Sequence, residues 1–260
     1  MTPYPRWAWV PFVGALALLV LPLAGLIARV PFDRLTSLLA SERAIDALRL
    51  SLSTCLVSTL LVLVLGVPTS VILARSHGRW TAFARTLVTI PMVLPPVVAG
   101  LALLVTFGRR GLVGAWLSSM GVEIGFTTVA VVLAQTFVAL PFLVVSLEGA
   151  LRSSGGRYES VAANLGAAPG RVFWRITVPI AAPAIASGTA LAFARALGEF
   201  GATLTFAGSL QGTTRTLPLE IYLLRESDAD LALALSLVLI LLAVVVVLLA
   251  TRLNAWGRHG

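Results

Sequence analysis

Residues 158–179 read YESVAANLGAAPGRVFWRITVP, a polar segment punctuated by glycine that separates two long apolar runs. Three charged residues, Glu159, Arg171 and Arg175, stand in it beside Asn164 and Gly166, whereas the chain on either side is oily and almost free of charge. The fold that this chain adopts must therefore place one compact polar segment at the junction of two apolar elements, and the rest of the sequence shows what those elements are.

Six stretches of this chain contain at least nineteen consecutive residues without an ionisable side chain. They are Trp7–Ala28, Leu50–Ala74, Thr86–Gly108, Ile124–Leu147, Ile176–Ala194 and Leu231–Thr251. A helix needs about 20 predominantly apolar residues to cross a bilayer core about 30 Å thick. The sequence does not show the alternating segments of about ten residues that build transmembrane barrels. It therefore predicts an all-α, polytopic membrane protein with six transmembrane helices, the first of them retained because it is longer than a signal-peptide core.

The formal net charge is +8, and all nineteen basic residues are arginines scattered along the connections between the apolar runs. Scattered arginines are typical of membrane topology and contact with lipid head groups, so nucleic acid is not expected as a partner. If the N-terminus is cytoplasmic, ten arginines lie on the inner side and eight on the outer side. The positive-inside rule then favours, by a narrow margin, a protein with both termini in the cytoplasm.

The segment between the fourth and fifth apolar runs then faces the cytoplasm. Gly155-Gly156 is expected to break the fourth helix after Leu151, and Arg157–Leu165 contains good helix formers. Pro169 can open a second short helical turn, and Pro179 is expected to stop it because a proline pushes the preceding residue out of helical geometry. From the pattern alone, these short helices either lie on the membrane surface at head-group level or form a docking surface for another protein.

The spacing of Gly166, Ile176 and Val178-Pro179 resembles the signature loop of the membrane subunits of ABC importers, the EAA loop. In this sequence the Glu-Ala-Ala of that loop falls on Ser160-Val161-Ala162, and the glutamate Glu159 stands one residue earlier. The resemblance implies short cytoplasmic coupling helices that seat in a cleft of a partner ATPase. The residues it assigns to this coupling are Glu159, Ser160, Ala162, Ala163, Gly166, Ala167, Ile176 and Pro179.

Two further stretches, ARALGEFGATLTFAG at residues 194–208 and TRTLPLEIY at residues 214–222, resemble the molybdate permeases of that family. Sulfate permeases share the outline. The resemblance implies a transmembrane domain over residues 48–252, preceded by a first helix and outer loop (1–47) and followed by a short cytoplasmic tail (253–260). It also implies a second copy of the chain, ABC ATPase subunits and an extracytoplasmic oxyanion-binding protein as partners, in a bacterial or archaeal plasma membrane.

The chain contains no lysine, so it cannot carry the phosphate-binding P-loop, whose lysine reaches the nucleotide phosphates. We therefore expect no bound cofactor in this chain, with ATP and magnesium on a separate ATPase, and no enzymatic activity of the chain alone. His77 and His259 lack neighbours at metal-ligand spacing, so no metal site is expected. An ion-coupled secondary transporter is the rival interpretation, but it requires acidic residues buried at mid-membrane, and only Glu199 stands near such a position.

Two features inside the apolar runs are candidates for the translocation path. Arg195 and Glu199 are four residues apart, one turn along a helix, and either neutralise each other or place a positive charge beside the route of a dianion. Gly198 and Gly201 would loosen the helix there. Pro95 and Pro96 are expected to kink the third span, which marks either a transport pathway or a static packing feature.

Overall fold

The computed structural model describes residues 5–256, which form helices joined by short connections. The long helices are α1 (Trp9–Ile27), α3 (Glu42–Arg75), α7 (Thr128–Ser153), α10 (Val178–Leu197) and α13 (Ala229–Trp256). The shorter ones are α2 (Leu35–Leu39), α4 (Arg79–Val93), α5 (Pro96–Phe107), α6 (Gly114–Ser119), α8 (Arg157–Asn164), α9 (Pro169–Val172), α11 (Gly201–Ala207) and α12 (Leu217–Leu224). The predicted all-α polytopic fold is confirmed. Helix α13 extends four residues into the predicted tail 253–260, of which residues 257–260 lie outside the described part.

The third span is not the single kinked helix that we expected over Thr86–Gly108. It is divided into α4 and α5, whose axes are bent by 116°. Leu94 and Pro95 between them are both extended, with ψ 134°. The two consecutive prolines cause the break, because each lacks a backbone donor and each disfavours helical geometry in the residue before it.

The α4–α5 pair nevertheless carries the chain across the membrane once. Three contacts between α3 and α7 advance together along both helices: Cys55 with Gln135, Ser70 with Val144, and Arg75 with Leu151. The two helices are therefore parallel neighbours. The chain leaves the end of α3 and later enters α7 in the same direction, so the segment between them, which contains α4 and α5, must cross back to the face where α3 starts. Five continuous spans and this one broken span therefore make the six expected crossings.

Helix α7 is the centre of the bundle, and α10 packs antiparallel to it. Ala181 at the start of α10 clusters with Leu147 near the end of α7, while Ala196 clusters with Ala139. A Cβ added at Gly188 of α10 or Gly66 of α3 would come within 2.8 or 2.9 Å of the Leu143 side chain. Small residues thus let both neighbours approach α7 closely, which is how helices associate in lipid.

We call the face that carries the ends of α3 and α7 the inner face, and the face that carries the start of α3 the outer face. Helix α13 starts at the outer face, because Leu231 and Ala232 cluster with Ala44 and Ala47. The end of α1 lies near the same level, since Leu26 lines a cleft with Tyr222 of α12 and Leu239. The start of α1 and the end of α13 therefore lie towards the inner face. No residue of α1 is buried, so this helix is peripheral to the bundle.

Candidate functional site

The inner-face segment starts where two glycines end α7. Helix α7 runs to Ser153, two residues beyond the predicted break, and Gly155 and Gly156 then adopt φ +70° and +68°, a left-handed geometry that favours glycine. At Gly156 an added Cβ would also lie 3.2 Å from the guanidinium carbon of Arg75. The predicted break is confirmed, and its second glycine also lets the chain pass close to an arginine of α3.

Gly166 ends α8 by a local mechanism. Its φ is +81°, its N–H donates to the carbonyl of Ala163, and the N–H of Ala167 donates to the carbonyl of Ala162. This pair of bonds is the Schellman arrangement, which satisfies the last carbonyls of a helix and favours glycine at that position. No atom of the described chain lies within 4 Å of a Cβ added there. Backbone geometry within the chain therefore accounts for glycine at this position.

Pro179 does not stop a helical turn, contrary to our expectation. The chain continues from α9 through a π-helical turn, Phe173–Thr177, directly into α10, in which Pro179 is the second residue. In this turn the N–H of Val178 donates to the carbonyl of Phe173, five residues back. The chain therefore runs through this wider turn into α10 without a break, and the proline is accommodated as the second residue of that helix.

Seven of the eight residues predicted for coupling divide between two clefts on different sides of α8. Ala162, Ile176 and Pro179 line one cleft of about 660 Å³, together with apolar residues that α8 presents. The second cleft, of about 550 Å³, is lined by Glu159, Ser160, Ala163 and Ala167, and it reaches Arg75 of α3. Gly166 lines neither cleft. One side of α8 is thus open for another protein, and the other side faces the bundle.

Exposed apolar side chains on the open side were missed by the sequence interpretation. Leu165 is 82 % exposed, Tyr158 64 % and Val161 51 %. Residues 158, 161 and 165 recur at the spacing of one helix face, which is the signal that could have found them. Apolar side chains gathered on one exposed side are typical of a surface that meets another protein or the membrane. We call this surface, formed by Tyr158, Val161, Leu165, Ile176 and Pro179, the docking face.

Glu159 points to the other side, away from the docking face. Its Oε1 lies 2.7 Å from Nη2 of Arg75 and accepts a longer bond, 3.4 Å, from the hydroxyl of Thr177. Burial acts to raise the pKa of Glu159, but the hydrogen bond from Arg75 and its positive charge outweigh burial and lower that pKa below its ordinary value. Glu159 is therefore ionised at neutral pH and bound to the end of α3.

Arg195 and Glu199 form the predicted pair, although Glu199 lies beyond the end of α10. Nη1 of Arg195 is 2.7 Å from one carboxylate oxygen of Glu199, and the other oxygen accepts the N–H of Ala202 at 2.7 Å. Glu199 is 1 % exposed and Arg195 28 %. The carboxylate thus bridges the interruption between α10 and α11, satisfying a donor at the start of the second helix and neutralising the arginine of the first.

The two helix interruptions meet. A Cβ added at Gly201, the first residue of α11, would lie 2.6 Å from Cβ of Pro96, the first residue of α5. A Cβ added at Gly100 would lie 2.7 Å from the carbonyl oxygen of Ala202. At Gly198, by contrast, the nearest atom is 3.7 Å away. We call the interruptions at 94–96 and 198–201 together the break junction.

The break junction holds most of the residues predicted for a translocation path. Pro96 is packed against Gly201, and Arg195 is paired with Glu199, whereas nothing comparable is seen at Pro95 or Gly198 among the described residues, and both of these are exposed. Interrupted membrane helices that face each other are typical of transporter pathways. The site combines a partly exposed positive charge, that of Arg195, with two interrupted helices. A positive charge in such a place can attract an anion.

The chain was compared with known proteins. Residues 66–258 match the family described as "Binding-protein-dependent transport system inner membrane component". The "Molybdenum transport system permease protein ModB" of Mycobacterium tuberculosis is 54 % identical over 227 residues, 87 % of this chain and 86 % of that protein. The "Probable sulfate transport system permease protein cysT" of Nephroselmis olivacea is 32 % identical over 83 % of this chain and 78 % of that protein.

Among solved structures, a chain of the bacterial alginate ABC transporter, crystallised with an alginate pentasaccharide-bound periplasmic protein, has a similar fold. The TM-score is 0.68 over 98 % of this chain and 96 % of that chain, at 21 % identity. At that level of identity the likeness concerns the fold.

Proposed function

This chain belongs to the family of binding-protein-dependent transport system inner membrane components, and on that premise we propose that it is the permease subunit of an ATP-driven importer of molybdate or tungstate. The observation that carries the proposal is the 54 % identity with a molybdenum permease over most of both chains. The importer's permease forms the path and couples it to an ATPase.

Partners follow from what the chain lacks and from what it exposes. Without a lysine it has no P-loop, so ATP and magnesium bind to a separate ATPase chain. The docking face, with Leu165 82 % exposed at its tip, is the surface that this ATPase covers. We further propose a second copy of the chain, which completes the path, and an extracytoplasmic binding protein that delivers the anion at the outer face.

A cytoplasmic ATPase requires the inner face of the fold to be cytoplasmic, with both termini on that side. In a Cys55→Ser background, Ala168→Cys beside the docking face should resist a membrane-impermeant thiol reagent in intact cells. Thr213→Cys, in the exposed loop before α12 at the outer face, should react. The opposite labelling pattern would place the docking face outside the cell and overturn the coupling role.

Substrate class is tested by uptake. Cells that lack their own molybdate importer, given this chain with its ATPase and binding protein, should accumulate radiolabelled molybdate. An excess of unlabelled tungstate should compete, because it is a tetrahedral dianion of nearly the same size as molybdate, whereas an equal excess of sulfate, a smaller tetrahedral dianion, should not. Competition by sulfate at least as strong as by tungstate would favour sulfate or thiosulfate import, the alternative that the 32 % identical relative represents.

Within the path, we propose that the break junction lies beside the anion. Arg195 keeps 28 % of its side chain exposed although Glu199 pairs with it, so its field is available at that surface. The chemistry is electrostatic attraction of a dianion by a cation in a region of low dielectric constant. This proposed path region is formed by Arg195, Glu199, Gly198, Gly201, Pro95 and Pro96.

A further inference from the structure

We propose that Arg75 and Glu159 form a clamp that makes α8 move together with the inner ends of α3 and α7. On this proposal, Glu159 is a positioning residue that transmits the position of the coupling segment (residues 157–179), and it is not a contact with the ATPase. The inference rests on the proposed function, because it names the part that conveys ATPase movement to the membrane helices.

The clamp is built around one arginine. From the last residue of α3, Arg75 donates Nη1 to the carbonyl of Leu151 near the end of α7, at 2.8 Å, and Nη2 to Glu159 of α8, at 2.7 Å. A longer bond, 3.4 Å, joins Nη2 to the hydroxyl of Ser154. Glu159 in turn accepts a 3.4 Å bond from Thr177, the last residue of the π-helical turn before α10. One guanidinium and one carboxylate thus connect the ends of three membrane helices with α8.

The position of Glu159 argues against a direct ATPase contact. Its side chain is 19 % exposed and that of Arg75 is 29 %, whereas Tyr158, Val161 and Leu165 on the docking face are exposed by more than half. The same carboxylate oxygen is the acceptor for both Arg75 and Thr177. An ATPase group that took over this oxygen would have to break a charge-assisted hydrogen bond inside the chain, and such bonds are about twice as strong as neutral ones.

A second ion-pair cluster on the inner face provides an internal comparison. Glu148 of α7 is 7 % exposed and is paired with Arg85 of α4 and with Arg152, one turn along α7 itself. This cluster ties α4 to the bundle and does not include a residue of α8. Loss of Arg152 removes an arginine from the same face and leaves Glu148 paired with Arg85, so Arg152→Gln is the matched control for Arg75→Gln.

The clamp can transmit movement of the ATPase to the membrane helices although neither Arg75 nor Glu159 touches the ATPase. When the ATPase displaces the docking face, α8 moves, and the 2.7 Å pair compels the end of α3 to follow. Because α3 and α7 are the most closely packed helices of the bundle, and α10 joins the coupling segment without interruption, the displacement reaches the broken span and the break junction. Without the pair, α8 still presents its docking face but moves independently of α3.

The test uses the full complex with its ATPase, with the variants Glu159→Gln, Arg75→Gln, the double variant and Arg152→Gln. One readout is the ATPase retained per permease during purification, which reports docking. The other is the stimulation of ATP hydrolysis by molybdate-loaded binding protein, which reports coupling. We expect the two single variants to retain the ATPase and to lose stimulation by about fivefold, within the ordinary range of coupling between sites.

The double variant should lose no more than either single variant, since residues that act as one pair are not additive. Arg152→Gln should behave as the unmodified chain. Loss of ATPase retention by Glu159→Gln would make this residue a docking contact, and additive losses in the double variant would show that the two residues act separately. Either result overturns the clamp.

A readout on the permease alone separates this proposal from the proposed function. Hydrogen exchange of the α8 backbone amides in detergent, without ATPase or binding protein, should be faster in Glu159→Gln than in Arg152→Gln. Equal exchange in the two variants would overturn the clamp even if molybdate uptake were normal. If molybdate-loaded binding protein does not stimulate the unmodified complex but hydrogen exchange is still faster in Glu159→Gln, the substrate assignment is wrong and the clamp is supported.

Discussion

The coupling segment and the break junction are both polar interruptions of apolar helices, but they are built in opposite ways. In the coupling segment the helix ends are closed by local bonds, such as those around Gly166, and apolar side chains point outwards. In the break junction the backbone is packed against backbone, and Glu199 is 1 % exposed. The first region leaves apolar side chains exposed, whereas the second is closed by contacts within the chain.

This difference predicts where substitutions act. A change on the docking face removes a contact that exists only in the complex, so it should leave folding intact and weaken coupling. A change in the break junction leaves a buried group unpaired or forces rigid elements apart, so it should first lower the amount of folded protein. The following predictions test that division, starting with the largest expected effect.

Arg195→Leu should cause the largest loss of folding stability, because it leaves the buried carboxylate of Glu199 without its cation. Breaking such a pair costs about 3–5 kcal/mol. Size-exclusion chromatography of the detergent-extracted complex should show little assembled permease. Arg195→Leu/Glu199→Gln should restore assembly, since the amide oxygen of glutamine can still accept the N–H of Ala202.

The double variant also decides whether Arg195 serves the anion. If its field attracts a dianion, the assembled variant should transport molybdate poorly per complex. Near-normal uptake per complex would leave the pair with a structural role alone and would remove Arg195 from the proposed path.

Gly201→Ala should have the next largest effect, a loss of about 3 kcal/mol in the free energy of unfolding, which is the upper range for overpacking. The added methyl group would lie 2.6 Å from a ring carbon of Pro96. Gly198→Ala, three residues earlier, has 3.7 Å of clearance and is the matched control. Thermal inactivation of the purified permease measures the effect. Equal stability of the two variants would show that the two interruptions do not touch.

Leu165→Gln should leave folding unchanged and weaken ATPase docking. Its side chain is 82 % exposed, and burial of a leucine contributes about 2 kcal/mol, or about thirtyfold in affinity. Leu112→Gln, at 87 % exposure in the connection between α5 and α6, is the control. Titration of permease nanodiscs with purified ATPase gives the affinity. A similar change in both variants, or a change in neither, would remove Leu165 from the docking face.

Gly166→Val should have the smallest effect: it should lower the stability of the folded α8 segment by about 1–2 kcal/mol, because a side chain is disfavoured at φ +81°. Gly166→Asn should be tolerated better, since asparagine accepts left-handed geometry. ATPase stimulation should therefore fall for valine more than for asparagine. An equal loss for both would mean that the ATPase requires a position without a side chain there.

Local signals made much of the coupling segment predictable. The glycine pair at 155–156 and Gly166 set backbone angles that few other residues adopt, so the end of α7 and the end of α8 could be placed from the sequence. Pro179 was misjudged because the chain reaches it through a π-helical turn, and periodicity alone does not reveal such a turn. Arg75 was missed as the partner of Glu159 because it lies 84 residues away in the chain.

By itself, the sequence determined that this is a polytopic helical membrane protein and where its polar coupling segment lies, because long apolar runs have one stable form in lipid and glycines restrict local backbone geometry. Three features became visible in the folded chain alone: the prolines at 95–96 divide the third span, the break meets Gly201, and Glu199 closes the gap between α10 and α11. Those features are contacts between distant segments, and such contacts depend on shape and on how closely helices approach, which spacing along one chain does not specify.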